Sequence, residues 1–420
     1  MTPTPKSTLP PLEGDATMPV GIMSDGSISL YVHIPFCQSK CSYCDFNSYA
    51  GLESLIEPYV GALLAEMGLW REPTQHMSLA TVFLGGGTPS LLPPAQVERV
   101  MTALRQRFRL TADAEVSFEA NPGTVDCPYL EGLRSLGVKR LSLGVQSFHD
   151  DELATLGRIH TAAQAREAYH TARQADFDNV NLDLIYGLPR QTMMAWQYTV
   201  REAVALRPDH LSLYALTVEE GTPLADAVAR GRLPPPDADL AADMYLWAED
   251  ALAAAGYQHY EISNWALPDR RCRHNLAYWL NEPYLGLGAG AHSCFGGFRF
   301  VNVKDPRRYV ALVEESAKAN GCPAEGLAPF LAGLGHIASA QQMTAARAMA
   351  ETVVLGLRLV EGLRLKEFRR RFGQELMSVY GTQVGELEAL GLLEQADGCL
   401  RLTASGRLLG NEAFQRFLPD

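Results

Sequence analysis

From Ser29 onward, short aliphatic and β-branched runs alternate with longer stretches whose apolar residues recur at helical spacing, and the repeat can be followed six times. The runs that predict strands are Ile28 to Ile34, Thr81 to Leu84, Glu115 to Glu119, Arg140 to Gly144, Val180 to Ile185 and His210 to Tyr214. Helices are predicted over Glu53 to Trp70, Pro94 to Phe108 and Met193 to Leu206. Strand-helix alternation implies a parallel sheet with helices outside it. Six units are two short of a closed eight-unit barrel. The expected fold is therefore α/β, a partial (β/α)6 TIM-like barrel over residues 28–235, with an open side where a large substrate could enter.

At Leu233-Pro234-Pro235-Pro236 the pattern breaks, and a connecting α+β region is expected over 236–330, beginning with a helix from Asp239 to Ala255. It contains a glycine-rich turn, Tyr284 to Ser293, with His292 near its end. Residues 331–420 read as a small, mainly helical domain ending in Leu387 to Leu393, Cys399 to Thr403 and Gly406. Helix, β-turn and helix predict a winged-helix-like module. Residues 1–27, rich in Pro, Thr and Gly, read as a disordered tail, within which Met18 and Met23 are alternative starts.

Composition narrows the function. The 47% hydrophobic content supports a sizeable core, and the absence of about 18 uninterrupted apolar residues predicts no membrane-spanning helix. The first 27 residues lack an apolar signal core, so a soluble, cytoplasmic protein is expected. Scattered cysteines outside one cluster fit a reducing compartment. With 36 Lys and Arg against 48 Asp and Glu, the net charge of −12 disfavours a nucleic-acid partner. The C-terminal module holds ten Lys or Arg against ten Asp or Glu, which points to packing or partner docking rather than DNA binding.

The chemistry centres on Cys37-Gln-Ser-Lys-Cys41-Ser-Tyr43-Cys44. Three thiolates within eight residues suit one soft metal centre, whereas a closed zinc site or a fully ligated cubane takes four ligands. A zinc site completed by Cys127 or His33 is the competing reading. The spacing Cys-x3-Cys-x2-Cys after an apolar run resembles that of the radical S-adenosylmethionine (SAM) superfamily. The resemblance implies that Cys37, Cys41 and Cys44 hold a 4Fe-4S cluster. It also implies that the free iron chelates SAM, whose reductive cleavage yields a 5′-deoxyadenosyl radical.

Other polar residues sit where strands end, the face at which barrel chemistry gathers. Gly85-Gly86-Gly87 would let backbone approach a ligand closely, although alone it reads as a tight turn. Glu119, Gln146 and Asp183 could bond ribose hydroxyls or an ammonium group, and Arg158 a carboxylate. Singly, each also fits a satisfied polar core. The segments Tyr31 to Asn47, Gly85 to Pro89, Ser117 to Pro122, Leu141 to Phe148, Leu156 to His160 and Asn181 to Pro189 resemble the oxygen-independent coproporphyrinogen dehydrogenase branch of that superfamily. By that resemblance Tyr31, Tyr43, Gly86, Gly87, Thr88, Glu119, Gln146, Arg158, Asp183 and Ala215 line the SAM site.

Two departures matter. The dehydrogenases carry a further cysteine two residues beyond the third ligand, where Cys44-Asp45-Phe46 has phenylalanine, and they have a longer N-terminal segment than the 27 residues here. His274-Asn275-Leu-Ala-Tyr278-Trp279 is similar to a motif of the haem chaperones in the same branch. Physically it joins an imidazole able to ligate iron with aromatic faces able to stack on a porphyrin. Arg270, Arg271 and Arg273 are candidates for haem propionates, and Cys272 is a competing ligand. The expected function is haem chaperoning, with His274, Tyr278 and Trp279 as haem-facing residues. The resemblance implies recipient haemoproteins as partners, including membrane-bound respiratory enzymes approached peripherally. An electron donor and a homodimer are further expectations. The alternative is an oxygen-independent coproporphyrinogen III dehydrogenase that decarboxylates two propionates to vinyl groups.

Overall fold

The computed structural model describes residues 26–318 and 326–418. The expected tail, apart from its last two residues, and Cys322 lie outside the described residues.

The six expected strands form as β1 (Ser27–Ile34), β4 (Ser78–Gly86), β5 (Arg109–Ala120), β6 (Arg140–Gln146), β7 (Val180–Tyr186) and β8 (His210–Ala215). The minute strands β2 (Phe36–Cys37) and β3 (Tyr49–Ala50) pair with each other. Beyond them come β9 (Gln258–Glu261), β10 (Asn264–Ala266), β11 (Tyr284–Leu287), β12 (His292–Phe295), β13 (Phe298–Asn302) and β14 (Ile337–Gln342). Apart from β2 and β3, these strands make one sheet in the order β14-β13-β12-β11-β1-β4-β5-β6-β7-β8-β10-β9. Its middle is parallel from β11 through β8, and among the described residues the two ends do not pair, so the barrel stays open.

The parallel set holds one strand more than the six read from the sequence. β11 pairs with β1 through Tyr31↔Gly286 and Val32↔Leu287. It is four residues long, contains a glycine and runs into another, so the hydrophobic pattern gives it no strand signature. Similarly, β14 pairs with β13 as part of the large sheet, although the sequence assigns its residues to the C-terminal module.

Alternation in β1 sends Ile28, Leu30, Val32 and Ile34 into the core and turns Tyr31 toward the sheet's inner side. Covering helices include α1 (Ile56–Leu69), α2 (Pro94–Arg107), α3 (Cys127–Ser135), α4 (Asp150–Thr155), α5 (Ala162–Gln174), α6 (Met193–Leu206), α7 (Pro223–Ala229) and α8 (Ala238–Ala254). Their ends follow local chemistry. Pro94 opens α2, the Thr192 hydroxyl accepts the Ala195 N–H at 3.2 Å to cap α6, and Asp237 caps α8 through Leu240 N–H at 3.0 Å.

A second core, from Met349 to Phe417, belongs to the C-terminal module. There the helices Ala345–Gly356, Leu365–Phe372 and Leu376–Ala389 precede the strands Leu393–Ala396 and Cys399–Leu402, which pair as an antiparallel hairpin.

Candidate functional site

The cysteine loop leaves the sheet at Cys37 and is closed by the β2–β3 ladder, where Phe36 pairs with Tyr49 and Cys37 with Ala50. Its middle is fixed by Ser42, whose N–H donates to Leu156 O at 3.0 Å and whose hydroxyl donates to Thr155 O at 2.9 Å. Its far end is tied by Asn47, whose Nδ2 donates to Ala289 O at 2.9 Å and Lys304 O at 3.1 Å. The adjoining Gly288 N–H donates to Glu66, a fully buried carboxylate on α1 that also receives Asn302 Nδ2 and the Tyr309 hydroxyl.

Cys37, Cys41 and Cys44 are free thiols lining one cavity of about 350 Å³. Burial raises the Cys37 and Cys44 thiols above their ordinary range. Each sulfur has a polar side chain beside it. Thr88 Oγ1 donates to Cys37 at 3.7 Å, Arg158 Nη1 donates to Cys41 at 3.4 Å, and the Ser48 hydroxyl lies 3.8 Å from Cys44.

Among the described residues no three His, Cys, Asp or Glu side chains converge on a single metal position. That argues against the zinc alternative. His33 has both ring nitrogens engaged, by the Tyr31 hydroxyl at 2.8 Å and Asn47 O at 2.9 Å, and the Cys127 thiol donates to Glu131 at 3.6 Å on α3. A cubane instead takes each thiolate on a separate iron, so three thiols spread around one cavity fit it.

The cavity wall comes from the ends of successive strands. At the end of β4, Gly86 has φ 116°, a conformation side-chain-bearing residues rarely adopt, and a Cβ on Gly87 would lie 2.7 Å from Phe36 O. The Gly86 N–H donates to Glu119 Oε2 at 3.0 Å. Burial, then the neighbouring Asp183, push the Glu119 carboxyl up to about 8. Asp183 is raised by burial, opposed by Asn181 Nδ2 at 2.8 Å and by the Ser142 hydroxyl at 3.0 Å. The β6–β7 register slips between Leu143 and Gln146, where Gln146 takes φ 69°. Arg158 Nη2 donates to Asn121 Oδ1 and to Gly144 O, at 2.5 and 2.7 Å.

Tyr43, Gly86, Gly87, Thr88, Glu119, Gln146, Arg158, Asp183 and Ala215 line this cavity with the three cysteines. Tyr31 does not. It lines a second cavity of about 210 Å³ that adjoins the first, and the two share Glu119, Ser142, Asp183 and Tyr214. The sequence reading left Asn121, Ser48, Ser142 and Tyr214 out of the site. Asn121 carried a signal, since it follows a strand end before Pro122, whereas Ser48 and Ser142 had none.

The three residues expected to face haem, His274, Tyr278 and Trp279, lie together on one short helix. His274 is the second residue of α9 (Arg273–Trp279) and is 1% exposed. Its Nδ1 pairs with Thr81 Oγ1 at 2.7 Å and its Nε2 with the Tyr278 hydroxyl at 2.9 Å, so neither nitrogen is free for iron. Burial, with Arg140 nearby, lowers its pKa to about 3. His274 and Tyr278 line the second cavity, and the Arg358 guanidinium covers the Trp279 ring at 4.4 Å. Cys272 is fully buried, and Arg270, Arg271 and Arg273 pair with carboxylates, Arg271 with Glu361 at 2.8 Å and Arg273 with Asp113 at 3.0 Å. His292 opens β12 with an exposed side chain.

The chain matches the Radical SAM superfamily over residues 31–203 and the HemN C-terminal domain over residues 343–409. It is 36% identical over 393 residues to "Heme chaperone HemW" of Bacillus subtilis, covering 93% of this chain and 99% of that protein. The protein of the same name from Escherichia coli is 35% identical over 397 residues, covering 94% and 98%. The structure described as "Coproporphyrinogen III oxidase (HemN) from Escherichia coli is a Radical SAM enzyme" superimposes with a TM-score of 0.79 at 25% identity, covering 95% and 91%. Agreement over nearly the full length, with three free thiols at the cavity, leads to one assignment: the chain belongs to the HemW family of the radical SAM superfamily.

Proposed function

We propose that the chain holds a 4Fe-4S cluster on Cys37, Cys41 and Cys44, binds SAM beside it and haem in addition, and delivers haem to recipient haemoproteins. The reading is supported most by one observation: the three thiols and nine residues expected at SAM, drawn from separate strand ends, border the same cavity. There the Gly86 and Gly87 backbone meets the amino-carboxylate end of SAM. Arg158 pairs with its carboxylate, and Glu119, Gln146 and Asp183 take its hydroxyls and ammonium. When bound, the cluster supplies one-electron chemistry. The side chains orient SAM and keep water from it.

Haem chaperoning is favoured over turnover by Phe46, which stands 64% exposed at the cavity in place of a cysteine, and by the names of the full-length relatives. Recipients include membrane-bound respiratory haemoproteins, reached peripherally from the cytoplasm, and an external donor reduces the cluster. No helix among the described residues is long and apolar enough to cross a membrane. A homodimer is the expected assembly, and nucleic acid is not a partner. The second reading, coproporphyrinogen III dehydrogenation, is favoured by the likeness to HemN.

Titrating reconstituted protein with haem, then adding an apo b-type cytochrome, tests the proposal. Saturable binding followed by appearance of the cytochrome spectrum is expected. Absence of saturable binding would refute it.

A further inference from the structure

Each of the three sulfurs has a polar side chain beside it, and two of those side chains are linked to each other. Thr88, Arg158 and Ser48 come from three separate segments: Thr88 meets Cys37, Arg158 meets Cys41, and Ser48 lies beside Cys44 and also reaches Cys37. Asn121 joins two of them. Its Nδ2 donates to Thr88 Oγ1 at 3.0 Å, which leaves the Thr88 hydroxyl proton free to point at Cys37. Its Oδ1 accepts Arg158 Nη2, which holds the guanidinium with Nη1 against Cys41. The other Nη2 contact is the neutral Gly144 carbonyl, and among the described residues no carboxylate pairs with Arg158. Its positive charge therefore stands beside the Cys41 sulfur uncompensated.

One-electron reduction of an iron-sulfur cluster adds a negative charge that spreads onto the thiolate sulfurs. Hydrogen bonds to those sulfurs stabilise the reduced form over the oxidised form, and a nearby cation does so more strongly. We propose that Arg158, Thr88 and Ser48 raise the reduction potential of the cluster held by Cys37, Cys41 and Cys44, with Asn121 as the positioning residue that aims two of the three. The inference rests on the cluster reading above. The electron comes from an external reductant and no bond breaks. Arg158 contributes most, because it alone is charged and makes the shortest contact. Asn121 contributes nothing of its own, but its amide polarity decides where the Thr88 proton goes.

The test is an EPR-monitored redox titration with dithionite, without SAM, on anaerobically reconstituted wild type and on Ser48→Ala, Arg158→Gln and Asn121→Asp. Iron and sulfide are quantified first. Asn121→Asp keeps the shape of the side chain but accepts from both neighbours. It draws the Thr88 proton away from Cys37 and neutralises Arg158. All three variants are expected to keep wild-type iron and to shift the midpoint negative, Asn121→Asp furthest and Ser48→Ala least. A merely structural role would alter iron content or melting temperature and leave the potential of the clusters that do form unchanged. Should a variant lose iron, the remaining ones decide, with Ser48→Ala the least disruptive. Equal midpoints, or a positive shift in any variant with full iron content, would overturn the proposal. A wild type with no reducible cluster signal would instead refute the cluster reading.

Discussion

Glu119 accepts the Gly86 N–H at 3.0 Å, a contact that binds the glycine turn after β4 to the end of β5 inside the SAM-expected cavity. With its folded-state pKa raised from 4.5 to about 8, Glu119 keeps a proton in the folded chain that the unfolded chain releases near pH 4.5. Folding then binds a proton across that window, so the Glu119 contribution to stability is fully present below pH 4.5 and is lost as pH rises to 8, by an amount on the order of a few kcal/mol. Raising the pH from 5 to 8 should therefore lower the melting temperature of ligand-free wild type more than that of Glu119→Gln. Parallel curves would mean that the carboxyl is ionised throughout.

Each of Cys37, Cys41 and Cys44 supplies one thiol to the cavity, and among the described residues no other cysteine lines it. Alanine at any of the three should abolish the broad iron-sulfur absorbance after anaerobic reconstitution, while Cys127→Ala should leave it intact. Unchanged iron in the triple set would remove the cluster from the account.

Asp183 sits at the wall shared by both cavities. Asp183→Ala should weaken SAM binding by about 1.5 to 3 kcal/mol, roughly tenfold to a hundredfold, the cost of losing a hydrogen bond to a charged group. Calorimetry on protein of matched iron content checks this, and equal affinity would exclude Asp183 from the SAM contacts.

For His274 the expected effect is on folding. Its removal strands the buried Thr81 and Tyr278 hydroxyls, at a cost of about 2 to 4 kcal/mol. His274→Ala should lower the melting temperature and leave the haem absorbance maximum where it was. A shifted maximum in folded protein would make His274 an iron ligand after all.

The contrast between His274 and the cysteines shows what local sequence conveys. Six parallel strands were legible from short apolar and β-branched segments, as in Val180 to Ile185, where Val180, Leu182 and Leu184 alternate with the cavity-lining Asn181 and Asp183. Cys37, Cys41 and Cys44 were legible because their ligand set is compact in sequence. The motif around His274 names residues able to meet a porphyrin, yet burial is decided by partners such as Thr81 and Glu115 on distant strands. Nor could spacing disclose the four-residue β11, or that Ser48 would sit beside Cys44 and Asn121 would link Thr88 to Arg158.

The chaperone claim is tested most directly by anaerobic incubation of cluster-loaded protein with SAM, a reductant and coproporphyrinogen III, with a working dehydrogenase run in parallel. The account predicts no protoporphyrinogen while the control turns over. Vinyl product from this chain would contradict it and make the protein an enzyme despite Phe46.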